Sequence, residues 1–131
     1  MKTLIVFYSK TGNTRKLAER AQKALACELD EIHFDEKAHE ISTELDPAGF
    51  ERVILMCPVW AFNLPEPMTL YLKRFGPGIQ TYRLAVTCGR LGLRGCVSGC
   101  KRLLGKAPEI AVKIRSKAIQ SGEYGIDGIL G

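Results

Sequence analysis

The sequence predicts an α/β fold in which a mostly parallel β-sheet carries helices on both faces. Two continuous apolar segments, Leu4–Tyr8 and Val53–Met56, are typical of strands that are buried on both faces. Apolar residues at helical spacing follow the first segment, and strand-like and helix-like patterns alternate along the rest of the chain. Such alternation produces βαβ units with right-handed crossovers, so neighbouring strands are predicted to be parallel.

Length and composition are consistent with a single globular domain spanning residues 1–131. Hydrophobic residues make up 46% of the chain and charged residues 25%, which provides enough apolar side chains for a sizeable core. The longest apolar run is far below the roughly 20 residues that a membrane span needs. Residues 1–3 lead into that run without the long apolar region and cleavage site of a signal peptide, so we expect a cytoplasmic protein without membrane contact.

The elements of the first half follow from their apolar patterns. Lys2–Tyr8 is rich in branched and aromatic residues and predicts a buried strand. In Asn13–Cys27 the apolar residues recur at helical spacing, which predicts a helix with one buried face. Glu28–Phe34 alternates only weakly and predicts an edge strand. The acidic residues 35–50 predict at most a short helical turn.

The second half begins with Arg52–Cys57, a second fully buried strand that Pro58 ends. A helix is predicted from Leu64–Pro67 to about Phe75, since proline is tolerated in a first turn. Glycines in the tail argue against a long final helix, which is therefore expected to be short or missing. The remaining predicted elements are a strand at Tyr82–Cys88, a glycine-rich loop through Gly95, a helix at about 96–104, a strand at Glu109–Ile114 and one or two helical turns in 115–131.

Charge is distributed unevenly along a chain whose net charge is +5. Residues 1–66 contain 8 Lys and Arg against 11 Asp and Glu, whereas residues 67–131 contain 11 against 3. A basic half can attract nucleic acid, an acidic protein or an anionic small molecule. No run of Lys and Arg exceeds two residues and no nucleic-acid-binding signature is present, so nucleic acid is not a predicted partner.

The five cysteines form an odd set that favours reduced thiols over a disulfide framework. Cys96 and Cys100 would share one face of a helix, but two thiols are only half of a structural zinc site. Neither His33 nor His39 has the spacing of a zinc finger. We therefore expect the cysteines to be small buried residues and predict no metal site.

The loop after the first strand crowds hydroxyl and amide side chains around one glycine at the start of a helix. A helix N-terminus offers unpaired N–H groups and the positive end of a dipole. One side chain would suffice as an N-cap, so four in six positions favour a phosphate site. The loop lacks the three glycines of the dinucleotide fingerprint and the Gly-Lys-Ser/Thr of a P-loop. The candidate residues are Ser9, Lys10, Thr11, Gly12, Asn13 and Thr14.

This loop, placed after an N-terminal apolar strand, resembles the phosphate loop of the flavodoxin family. Residues 52–62 (RVILMCPVWAF) and 82–89 (YRLAVTCG) resemble the second and third flavin loops of that family. The resemblance implies a five-stranded sheet in the order 2-1-3-4-5 and non-covalently bound FMN that carries electrons between redox partners. It also implies that residues 9–14 hold the FMN phosphate. By the same resemblance one side of the ring would be lined by Pro58, Val59, Trp60, Ala61, Phe62 and Asn63, and the other by Thr87, Cys88, Gly89, Arg90 and Gly92.

Trp60, the only tryptophan, lies two residues beyond a buried strand. Its large flat apolar face suits stacking on a flavin, while the alternative is an indole that fills the edge of the core. Flavodoxins often place a tyrosine in the third loop, but residues 88–94 contain no aromatic side chain, so the other ring face is expected to be more open. An open face admits an FMN-dependent NAD(P)H or quinone reductase as the alternative to an electron carrier.

The third loop is basic, with Arg90 and Arg94 in or beside it. A nearby cation favours the anionic form of a reduced flavin, so the final reduction is predicted to be easier than in an acidic flavodoxin. The basic second half also predicts an acidic redox partner. A short final helix would leave part of the sheet uncovered, and exposed apolar area predicts self-association.

A different enzyme is compatible with the third loop, because Cys88 and Arg94 have the spacing of a protein tyrosine phosphatase loop. In that interpretation Cys88 is a low-pKa nucleophile and Arg94 clamps the phosphate. The residue after the arginine is Gly95 rather than Ser or Thr, and no Asp is placed as a general acid. The hydroxyl cluster of the first loop would then have no role.

Overall fold

The computed structural model describes residues 1–130, and Gly131 lies outside the described residues. Within them the chain folds into seven strands, five α-helices and two short 3₁₀ turns. The strands are β1 (Thr3–Phe7), β2 (Glu28–Glu31), β3 (His33–Asp35), β4 (Glu40–Ser42), β5 (Arg52–Pro58), β6 (Thr81–Cys88) and β7 (Ala111–Arg115). The helices are α1 (Asn13–Leu25), α2 (Glu66–Phe75), α3 (Leu93–Leu104), α4 (Ser116–Ser121) and α5 (Asp127–Leu130), and the 3₁₀ turns span Pro47–Gly49 and Gly76–Gly78.

Five parallel strands form the main sheet in the order β2-β1-β5-β6-β7. With the strands of this sheet numbered on their own, the order is 2-1-3-4-5, which confirms the predicted α/β fold. The order reverses between β1 and β5, and ligands of open α/β sheets bind beyond the carboxyl ends of strands at such a point. The fold therefore directs attention to the loops that follow β1, β5 and β6.

Alternating residues of the central strands build one core on each face of the sheet. Val6 and Leu55 lie under α2 and α3, whereas Ile5 and Ile54 lie under α1, α4 and α5. All four side chains are at most 1% exposed. Burial on both faces explains why the sequence of these strands is continuously apolar instead of alternating.

The predicted edge strand at Glu28–Phe34 is wrong in its second half. Only β2 joins the main sheet, because the chain turns away after Ile32, whose N–H donates to the Phe7 carbonyl at 2.8 Å. Residues 33–35 instead form an antiparallel hairpin with β4, which lies in the stretch 35–50 that was predicted to hold at most a short helical turn. The Asp35 carboxylate accepts the N–H groups of Lys37 and Ala38 and so closes the turn between them.

Other boundaries also differ from the prediction. Helix α1 ends at Leu25 instead of Cys27, because Ala26 takes a left-handed conformation with φ 51°. Helix α3 begins at Leu93, so Gly95 lies inside the helix and not in the preceding loop. Strand β7 spans Ala111–Arg115 instead of Glu109–Ile114, so it begins two residues later and ends one residue later than predicted.

The last segment is short, as predicted, but it covers the sheet. Ile119, Ile126 and Ile129 of this segment are 3%, 7% and 1% exposed and pack on the face that holds Ile54. Arg83 of β6 ties α5 to the sheet by donating through Nη1 to the Ile129 carbonyl at 2.5 Å. The apolar sheet face that was expected to be uncovered is therefore covered within residues 1–130. The prediction of self-association rested on an uncovered face and loses that basis. Among the same residues, no helix combines the length and hydropathy needed to cross a membrane.

Candidate functional site at the carboxyl edge of the sheet

Three loops meet at the carboxyl edge of the central strands, and they are named here by their order in the chain. The first loop is residues 8–12 after β1, the second is 59–65 after β5 and the third is 89–92 after β6. Because β1, β5 and β6 are neighbours, these loops lie side by side over the point where the strand order reverses.

The first loop is closed from within and leaves the start of α1 without a cap. Ser9 Oγ accepts the Gly12 N–H at 3.1 Å, and Gly12 takes a φ of 97° that favours glycine. No side chain caps α1, and within residues 1–130 the N–H groups of Asn13, Thr14 and Arg15 have no hydrogen-bond acceptor. Uncapped N–H groups at a helix N-terminus attract an anion.

A buried hydrogen bond links the first turn of α1 to the end of β6. The hydroxyl oxygens of Thr14 and Thr87 are 2.9 Å apart, and the two residues are 2% and 3% exposed. Since a hydroxyl has one proton and two lone pairs, each oxygen keeps further hydrogen-bonding capacity. This contact holds the first loop at a defined distance from the strand that leads to the third loop.

Trp60 belongs to the second loop, is half-buried and contacts the first loop. Its ring packs edge-on against Tyr8, with centroids 5.5 Å apart. The Lys10 ammonium lies 5.2 Å from the centroid of the indole ring, within the range of a cation–π interaction. Trp60 therefore packs against the edge of the core and at the same time contacts the first loop.

The second loop is a tight turn with a strained backbone. Trp60 and Asn63 exchange two backbone hydrogen bonds of 3.0 and 2.9 Å around Ala61 and Phe62. Both central residues have positive φ, 49° and 65°, which is the pattern of a type I′ turn that normally selects Asn and Gly. Bulky residues reach this conformation only where the surroundings impose it, and such positions concentrate at functional sites.

Two glycines allow the second and third loops to approach each other. A Cβ on Gly92 would overlap the side chain of Val59, and one on Gly95 would overlap the carbonyl group of Phe62. Gly92 also has a φ of 121°, a conformation that other residues rarely adopt. The strained turn is thus supported from behind by the start of α3.

The third loop is exposed and is attached to β7, the edge strand of the sheet. Arg115 Nε donates to the Gly89 carbonyl at 3.0 Å, and Lys113 Nζ donates to the Arg90 carbonyl at 3.2 Å. Leu91 is 64% exposed, and Phe62 of the second loop is 65% exposed. The second and the third loop therefore each carry one exposed large apolar side chain.

Cys88 does not have the environment of a catalytic thiol. It is 5% exposed, and burial raises the pKa of its thiol, although Lys113 and Arg115 act in the opposite direction. A nucleophilic cysteine needs a lowered pKa and access to substrate, so the geometry argues against the phosphatase interpretation. Cys57, Cys96 and Cys100 are buried as predicted, and residues 1–130 contain no cluster of side chains suited to a metal ion.

The structure brings the predicted residues of all three loops to one edge, with different exposure. Trp60 is half-buried, whereas the side chains of Thr87 and Cys88 are buried. The Asn63 amide donates to the Ala61 carbonyl at 3.3 Å and so stabilises its own turn. Ser9, Gly12, Asn13, Pro58, Val59 and Gly92 are partly buried, and Lys10, Thr11, Ala61, Phe62, Gly89 and Arg90 are exposed.

Sequence reasoning did not include four residues that shape this edge: Tyr8, Leu91, Lys113 and Arg115. The two cations of β7 carry no local signal, because their role depends on the pairing of Cys88 with Arg115 across β6 and β7. Leu91 could have been found, since it lies between predicted residues of the same loop.

Comparisons with solved structures identify the fold. A flavoprotein from Lactobacillus acidophilus, crystallised in complex with FMN, has a TM-score of 0.74 and 20% identity over 92% of this chain and 97% of that chain. The apo-form of the flavoprotein from the same organism has a TM-score of 0.69 and 21% identity over 87% and 91%. Oxidised flavodoxin 1 from Bacillus cereus has a TM-score of 0.61 and 16% identity over 93% and 95%. The chain therefore has the flavodoxin-like fold.

Comparisons based on the sequence are less informative than those based on the structure. The chain matches no known protein family description. An uncharacterised protein from Archaeoglobus fulgidus is 33% identical over an 86-residue alignment that covers 56% of this chain. The match spans 57% of the length of that relative.

Proposed function

We propose that this chain binds FMN non-covalently at the carboxyl edge of its sheet and carries electrons between redox partners. The observation that carries the proposal is the uncapped start of α1, with its unpaired N–H groups, together with the half-buried Trp60, which contacts Tyr8 and Lys10 of the loop that leads into α1. Unpaired N–H groups at a helix start bind a phosphate, and an indole stacks on a flat aromatic ring. The FMN complex of the structurally similar Lactobacillus flavoprotein supports the same cofactor.

In this proposal the first loop holds the phosphate of FMN. The hydroxyl of Thr11, the amide of Asn13 and the first-turn N–H groups of α1 supply neutral donors, and the helix dipole supplies a partial positive charge. Lys10 adds a full charge at the exposed side of the loop. Ser9 acts indirectly, because its hydroxyl already closes the loop on Gly12.

The second and third loops hold the ring in this proposal. Trp60 offers an aromatic face, and the remaining residues of the set contribute mainly backbone and apolar contacts. FMN supplies the redox chemistry when bound, accepting and returning electrons. The protein orients the ring, limits its contact with water and sets the charge around it through Arg90 and Arg94.

The proposed partner is an acidic redox protein. Lys10, Arg90 and Arg94 are exposed at or beside the carboxyl edge, and Phe62 and Leu91 offer apolar contact within the same region. A charged rim around an apolar contact favours fast, salt-sensitive encounter with a protein of opposite charge. The rate of electron exchange is expected to fall as ionic strength rises.

An FMN-dependent NAD(P)H or quinone reductase is the second candidate. It is favoured by the third loop, which has no aromatic side chain and leaves Leu91 exposed. Steady-state oxidation of NAD(P)H by the FMN-loaded protein, with a quinone as acceptor, separates the two functions. A carrier turns over slowly until a partner reductase is added, whereas a reductase turns over without one.

The phosphate site is tested by comparing FMN with riboflavin, which has the same ring and no phosphate. The proposal predicts tighter binding of FMN than of riboflavin, and competition by inorganic phosphate against FMN but not against riboflavin. Equal affinities without phosphate competition would remove the first loop from the proposal.

The free thiols of the described residues are consistent with the reducing cytoplasm, which we propose as the location.

A further inference from the structure

Lys113 and Arg115, two cations of the edge strand β7, form hydrogen bonds with the third loop. Edge strands often carry lysine or arginine simply to prevent pairing with other chains. Here Arg115 donates to the Gly89 carbonyl at 3.0 Å, and Lys113 donates to the next carbonyl, that of Arg90, at 3.2 Å. Two successive peptide groups of the third loop are therefore held by charged donors from the neighbouring strand.

Peptide geometry fixes the direction of the N–H groups in this loop. All peptide bonds of the described residues are trans, and in a trans peptide the carbonyl and the following N–H point in opposite directions. With the carbonyls of Gly89 and Arg90 held by donors from β7, the N–H groups of Arg90 and Leu91 point away from those donors. Neither N–H has an acceptor within residues 1–130.

We propose that Lys113 and Arg115 are positioning residues for the flavin ring, holding the third loop so that the N–H groups of Arg90 and Leu91 serve as donors to the carbonyl oxygens of the ring. This inference rests on the proposed function. It assigns a role to two residues that lie outside all three loops.

The electrostatic influence of the two side chains reaches the base of the same loop. Lys113 and Arg115 both lower the pKa of the buried Cys88 thiol, although burial outweighs them. Charge-assisted hydrogen bonds are stronger than neutral ones, which suits them to holding a short exposed loop in one conformation.

The test uses the full chain and four variants: Arg115→Gln, Arg115→Lys, Lys113→Met and the control Lys117→Gln. Lys117 is an exposed cation of α4, two residues beyond Arg115. Removing any cation weakens the attraction for the FMN phosphate, so affinity is measured for riboflavin as well as for FMN. The melting temperature of the apo protein and the absorption spectrum of the bound flavin are recorded for each variant.

We expect Arg115→Gln and Lys113→Met each to weaken riboflavin binding roughly 3- to 10-fold, which corresponds to a weakened hydrogen bond, and to weaken FMN binding by at least that factor. The flavin spectrum shifts, the apo melting temperature stays near that of wild type, and Arg115→Lys recovers part of the loss. Lys117→Gln leaves riboflavin binding unchanged.

Unchanged riboflavin affinity in Arg115→Gln and Lys113→Met would overturn the inference, as would an equal loss in Lys117→Gln. A fall in affinity that only accompanies a fall in apo melting temperature would also overturn it, because the two residues would then be structural. Failure of the wild-type chain to bind either flavin would instead refute the proposed function.

Discussion

Trp60 is the side chain on which ring recognition depends most in the proposed function. We expect Trp60→Ala to weaken flavin binding by about 0.5–1.5 kcal/mol, or roughly 2- to 13-fold, because an aromatic contact is lost. Trp60→Phe should retain most of the affinity. Flavin absorbance during titration measures both variants, since the native fluorophore is gone. Equal affinities in Trp60→Ala and wild type would place the indole outside the ring site.

Arg90 and Arg94 bear on the redox potential more than on affinity for the ring. In Arg90→Gln and Arg94→Gln the final reduction of bound flavin should become harder, because a cation that favours the anionic reduced flavin is lost. The shift should be only tens of millivolts at low salt, because exposed charges act through a high effective dielectric constant. Arg102→Gln is the matched control, eight residues further along α3. Redox titration measures the shift, and an equal shift in the control would indicate a general charge effect.

At this scale the sequence contains a local signal for the first loop and none for the attachment of the third loop. Ser9 to Thr14 form a local signal, since their chemistry and the start of a helix are adjacent in the chain. The attachment of Gly89 and Arg90 to β7 is non-local, because Lys113 and Arg115 meet these residues only through strand pairing. The positive φ of Phe62 could not be predicted from the sequence either, since bulky residues rarely adopt a left-handed conformation.

Between elements, the contact of Thr14 with Thr87 joins α1 to β6. Thr14→Val or Thr87→Val alone should lower the free energy of unfolding of the apo protein by about 1–3 kcal/mol, because one buried hydroxyl loses its partner. The double variant should cost less than the sum of the two. Chemical denaturation of all four proteins measures the coupling, and strict additivity would show that the hydroxyl groups do not interact.

The packing of α3 against the second loop depends on Gly95. In Gly95→Ala the new methyl group meets the carbonyl group of Phe62, so we expect a loss of about 1–3 kcal/mol in stability together with weaker flavin binding. Gly125→Ala provides the control, since nothing lies within 4 Å of its Cβ position. Thermal unfolding and flavin titration measure both. A stable Gly95→Ala protein with normal affinity would contradict the described contact between helix and loop.

Elements with strong apolar patterns were predicted close to their observed bounds, as β1, β5 and α2 show. The hairpin of β3 and β4 was not, because each strand has three residues and is mostly exposed, and its turn depends on Asp35. The end of α1 was overestimated, since Ala26 has no intrinsic preference for the left-handed conformation that stops the helix.

For the whole molecule, four of the five cysteines are buried and only Cys27 is partly accessible. Burial raises the pKa of Cys96 and Cys100 to about 12. A thiol reagent at neutral pH should therefore modify at most one cysteine per folded chain and all five after denaturation. Rapid modification of several thiols in the folded protein would contradict the packing of α3 on the sheet.

The same thiols make stability depend on alkaline pH. Their pKa is higher in the folded than in the unfolded state, so the unfolded chain loses protons first as pH rises. Their contribution is complete below about pH 9, the ordinary value, and decreases as pH approaches 12. Denaturation series at pH 8 and pH 10 should show the lower free energy of unfolding at pH 10.

The central claim, FMN bound between the uncapped start of α1 and Trp60, is tested most directly by titrating the apo protein with FMN. We predict that FMN quenches the emission of Trp60 and raises the melting temperature, since at a free concentration 100 times the Kd a ligand stabilises the folded state by about 2.7 kcal/mol. Tryptophan emission and a melting temperature that both stay unchanged at saturating FMN would contradict the account.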